Sequence, residues 1–125
     1  MLSNMLWVSL GAVLGANARY LVSVLMVQYL GKPGYWATLS VNLVGSFLLG
    51  LVAGFILGKL DNTHHYWFLI AVGGLGSFTT FSTFSLDMLF LIQQQQVIYS
   101  ILYAAVSIIT GLIFVYLGWM LSRLI

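Results

Sequence analysis

A chain of 125 residues that is 62% hydrophobic and 5% charged cannot hide its apolar surface inside a soluble domain of that size. It has no Cys and no Glu, which excludes disulfides, thiolate metal sites and thiol catalysis. A net charge of +2 is too small to recruit nucleic acid. The composition points to an all-α integral membrane protein with little mass outside the bilayer.

A hydrocarbon core of about 30 Å takes about 20 helical residues. Four runs qualify, at 2–30, 36–57, 66–92 and 97–121, so one four-helix transmembrane domain over 1–125 is expected. The first run lacks a basic leader and a cleavage pattern, and is expected to be a retained span. The connectors at 31–34, 59–65 and 93–96 are short and polar, as turns at the water surface should be. Trp7, Trp36, Trp67 and Trp119 fall towards span ends, where aromatic belts form. Four spans place Lys59 and Arg123 on one side and Lys32 on the other. So small a bias permits insertion both ways, and with it an antiparallel pair of identical chains. The plainer alternative is a small protein with a weak topology signal.

In the first span, Gly11 and Gly15 share a face and favour close helix packing. Arg19 is costly inside a membrane; it either snorkels or faces a water-filled vestibule that attracts anions. In the second span, Thr38, Asn42, Gly45 and Ser46 form a polar stripe on an otherwise apolar helix. Asn42 offers two N–H donors, to a neighbouring helix or to an anion.

The third run contains Gly73-Gly74-Leu75-Gly76-Ser77-Phe78-Thr79-Thr80-Phe81-Ser82-Thr83-Phe84. Its glycines are poor helix formers, so an interruption is expected between 73 and 79. Unpaired backbone groups at membrane depth are tolerated only against protein, water or an ion. Phe78, Phe81 and Phe84 are either core or an anion route lined by the positive edges of phenyl rings. Asp87 is expected to pair with Arg19 or to cap a helix fragment, ahead of a proton-relay role. His64 and His65 are expected to be solvated loop. In the fourth run, Tyr99, Tyr103, Ser107 and Gly111 share a face, as interhelical bonding or as a polar track.

Together the stripes carry donors and ring edges and lack the carboxylates of a cation path. They suggest a narrow anion pore, and four helices leave so little room that oligomerisation is expected. Nothing suggests a catalytic residue, so an enzyme is not expected. A four-span multidrug antiporter should carry a membrane-embedded Glu, and this chain has none. A non-transporting membrane subunit is the other alternative.

The segments Gly-Ala-Asn-Ala-Arg-Tyr at 15–20, Thr38 to Phe47, the stretch from Gly73 to Ser85, and Tyr103 with Ser107 resemble the Fluc (CrcB-type) family of microbial fluoride channels over nearly the whole chain. The resemblance implies a fluoride-selective passive channel in the microbial plasma membrane, working as an antiparallel dual-topology homodimer with two pathways. By resemblance, Asn42 donates to fluoride, Phe81 and Phe84 present ring edges, Tyr103 and Ser107 belong to a polar track, and Thr38 lies on the wall with Asn42. It also implies a structural sodium ion on the dimer axis, held by the carbonyls of Gly76 and Thr79. Arg19 matches a basic residue whose role is left open. Gly111 lacks the hydroxyl that would extend the track, so the track is shorter here or water fills the place.

Overall fold

The computed structural model describes residues 1–59 and 64–125, and the described residues contain helices and no strand. Helix α1 (Leu2–Val24) runs on into a π-helical turn, π1 (Leu25–Tyr29). Gly31, at φ 60°, turns the chain in the left-handed region that suits glycine. Helix α2 (Gly34–Lys59) returns. The third span is a composite of a helical turn α3 (His64–Tyr66), a π-helical segment π2 (Trp67–Leu75), a second helical turn α4 (Gly76–Phe78) and helix α5 (Phe81–Gln93). Gln95, at φ 61°, turns the chain into α6 (Val97–Leu124).

These elements supply four stretches long and apolar enough to cross a membrane, at Leu2–Tyr29, Gly34–Ile56, Trp67–Gln93 and Val97–Leu124. Most of the second connector, 60–63, lies outside the described residues. His64 and His65 are helical rather than loop, and the His65 ring stands edge-on to Trp7 at 5.5 Å. At the other end of the chain, the Arg123 guanidinium lies 4.3 Å over the Trp119 ring, a cation–π contact suited to a membrane surface.

Two seams organise the fold, α2 on α6 and α1 on π2. Both are backbone-to-backbone contacts. A Cβ on Gly11 would fall on the Leu69 carbonyl and one on Gly15 on the Gly74 carbonyl; one on Gly118 would fall on the Phe47 carbonyl. In lipid there is little hydrophobic force between helices, so such close approach is what holds them together. Gly73, Gly74 and Gly76 therefore do not unwind the chain. They are helical, and Gly73 lets π2 approach α1, since a Cβ there would fall on the Val8 carbonyl. The extended residues come later: Thr79 (φ −78°, ψ 160°) and Thr80 (φ −152°, ψ 125°).

Candidate functional site

Asn42 and the extended pair define the site. Thr80 N–H donates to Asn42 Oδ1 at 2.8 Å, and Asn42 Nδ2 donates to the Thr80 carbonyl at 3.0 Å. The amide thus replaces the helical partners of one extended residue and keeps a second N–H of its own. In a continuous helix, Thr80 N–H would bond to the Gly76 carbonyl, and Thr83 N–H to the Thr79 carbonyl. The first is diverted to Asn42. The second donates to Thr80 Oγ1 at 3.2 Å, which caps α5. The Gly76 and Thr79 carbonyls are left without their helical donors. Thr79 is fixed from the other side, where its N–H (3.0 Å) and its hydroxyl (2.9 Å) both donate to the Leu75 carbonyl. Gly45 makes room for it, because a Cβ there would collide with the Thr79 methyl.

A groove of about 290 Å³, open on one side, lies against this clasp. Asn42 and Ser46 from α2, Thr79, Thr80, Phe81 and Phe84 from the third span, and Ser107 and Gly111 from α6 line it. No charged residue does. Ser107 Oγ is buried there without a hydrogen-bond partner among the described residues. The phenyl rings differ in setting: Phe84 is buried, whereas Phe81 is 79% exposed on the single chain. Their centroids are 5.8 Å apart and their planes 42° from parallel.

The row continues to Tyr103, whose ring lies 5.2 Å from Phe84 and 5.7 Å from Tyr35. Tyr103 lines a neighbouring cavity with Tyr35, Trp36, Leu39 and Tyr99 rather than the Asn42 groove. Its hydroxyl donates to Asp87 Oδ2 at 3.2 Å. Among the described residues Asp87 thus pairs with Tyr103 rather than with Arg19, and it is not a cap: it lies in the second turn of α5 facing α6, and Thr80 holds the cap position.

Arg19 and Thr38 both line a further cavity of about 240 Å³, with Tyr20, Ser23, Thr80 and Thr83. Thr38 is buried one turn before Asn42, on the Arg19 side. Thr80 is common to both cavities, so the clasp forms the partition between an arginine-bearing chamber and a phenyl-lined groove. Thr80 Oγ1 also donates to Thr83 Oγ1 at 3.1 Å. Sequence reasoning missed Thr80. A hydroxyl residue just before a helix is a cap signal, but the Glu or Gln that completes the usual signature is absent. Gly76 is exposed and Thr79 half-buried beside the clasp.

Four helical spans of membrane length, with donors and phenyl rings lining a groove between them, define a small multi-pass membrane protein. Residues 6–119 match the family model described as CrcB-like protein, Camphor Resistance (CrcB). The chain belongs to that family and is a multi-pass protein of the cell membrane. It is 43% identical over 119 residues to a protein of Magnetococcus marinus named Fluoride-specific ion channel FluC, covering 95% of this chain and 97% of the relative. It is 42% identical over 122 residues to the protein of that name in Hahella chejuensis, covering 98% and 96%. For the one in Rhizobium meliloti it is 37% identical over 122 residues, covering 98% of each.

Proposed function

We propose that this chain is a passive fluoride channel, not an enzyme, that lets cytoplasmic fluoride leave down its electrochemical gradient and so relieves its toxicity. Hydrogen fluoride enters as a neutral acid and ionises in the less acidic cytoplasm, where the anion is trapped. The inside-negative potential then drives fluoride out through any anion path. The observation that carries this reading is the convergence of a spare amide N–H, two phenyl rings and an unpartnered hydroxyl on one groove without a carboxylate. Such a lining replaces water around a small hard anion with weak donors and ring edges, which hold it without trapping it. Arg19 would gather anions in the adjoining chamber.

The working unit in this reading is one four-helix domain paired with an inverted copy. The open side of the groove supports it, because its polar groups would cost several kcal/mol each, roughly, if they faced lipid, and a second chain would cover them. The interruption at Thr79–Thr80 is its functional centre. The Gly76 and Thr79 carbonyls suit a hard monovalent cation, being neutral oxygens relieved of their helical donors. They would hold a structural sodium ion, which when bound supplies positive charge between the two chains. The test is purified protein in liposomes loaded with potassium fluoride. On adding a potassium ionophore, an electrode should record fluoride efflux, with far slower efflux of chloride from matched vesicles. Absence of fluoride efflux would overturn the proposal.

A further inference from the structure

Beyond the phenyl rings the groove runs between α2 and α6 to Ser46, Ser107 and Gly111. Hydroxyls on membrane helices commonly donate back to the carbonyl one turn earlier. Ser9, Ser85 and Thr110 do so here. Ser46 makes no side-chain hydrogen bond among the described residues, and Ser107 Oγ is buried without one. Two hydroxyls on facing helices are thus left uncommitted in the same cavity. Gly111 explains the space between them. A Cβ added there would stand 3.8 Å from Ser46 Oγ, in ordinary contact. Where α6 lacks a side chain, α2 presents a hydroxyl. The hydroxyl missing from α6 at Gly111 thus has a counterpart on α2 in the same cavity.

We infer that Ser46 and Ser107 form a two-hydroxyl subsite for partly dehydrated fluoride, and that Gly111 is the gap that leaves Ser46 free to serve it. This rests on the fluoride-channel reading. Both O–H groups can turn their protons to the anion, which neither could do while bonded to a backbone carbonyl. The experiment compares fluoride efflux from liposomes for wild type, Ser46→Ala, Ser46→Thr, Gly111→Val and the double variant Ser46→Ala/Gly111→Ser. Assembly of each is checked by size exclusion.

Losing a donor to an ion should slow efflux by about tenfold or more in Ser46→Ala. Gly111→Val should do the same by filling the gap. Ser46→Thr keeps the hydroxyl and should stay near the wild-type rate. The double variant returns a hydroxyl to the same space from α6 and should recover most of the flux. Wild-type efflux from Ser46→Ala or from Gly111→Val would overturn the subsite while leaving the channel reading intact. Wild-type protein that passes no fluoride overturns both. If Ser46→Ala does not assemble, Gly111→Val and the recovery in the double variant decide the matter.

Discussion

Asn42 commits an acceptor and a donor to the Thr80 backbone, so the conduction role proposed for it would be joined to its role in holding the chain. Asn42→Asp would keep an oxygen for the Thr80 N–H, lose the donor to the Thr80 carbonyl and add a like charge to the groove. Fluoride efflux should fall to the level of empty liposomes; an unchanged rate would reduce Asn42 to a structural clasp. Phe81→Ile and Phe84→Ile remove ring edges that an aliphatic chain cannot replace. Each should slow efflux by about tenfold with the size-exclusion profile unchanged, and wild-type rates in both would end that role. Thr80→Val deletes the cap on α5 and should lower stability by about 1 kcal/mol, seen as a lower melting temperature in detergent, while Thr80→Ser should not. Asn42, Phe81, Phe84 and Ser107 were legible in the sequence because an amide, a hydroxyl or a repeated phenyl stands out in a Leu/Val/Ile background. Thr80 was not, since it is one of several hydroxyls in a row, and only the backbone bonds it makes single it out. The Tyr103–Asp87 bond was hidden for another reason: hydropathy does not say which face of α5 meets α6.

The spans themselves were plain from hydropathy, and the fourth differs from its expected 97–121 only in running on to Leu124. The π-helical segments π1 and π2 were not visible. A register of i to i−5 leaves no mark in a pattern of apolar residues. The glycines of the third span carried a signal that propensity alone misreads. In isolation Gly73 and Gly74 argue against a helix; in the fold both are helical, and Gly73 lets one backbone rest on another. Gly15→Val should therefore force α1 away from π2 at a cost of about 1–3 kcal/mol. Loss of a monodisperse peak, or a lower melting temperature, would register it. Gly34→Ala, with nothing near its Cβ position, is the matched control and should behave as wild type.

At the scale of the molecule, the proposed dimer would cover the open side of the groove with a second chain, and the proposed ion would sit on the freed carbonyls. Exchanging sodium for a large organic cation should weaken the dimer on size exclusion and abolish fluoride efflux; full assembly and flux in sodium-free buffer would remove the ion from the account. The two extended threonines also have an electrical consequence. One helix stops at Phe78 and the next starts at Phe81, so the negative pole of the first and the positive pole of the second lie two residues apart at bilayer depth. A continuous helix would carry those poles out to the headgroups. Here they meet within the span, and in the proposed channel this one short stretch of backbone would favour a cation on one side and an anion on the other.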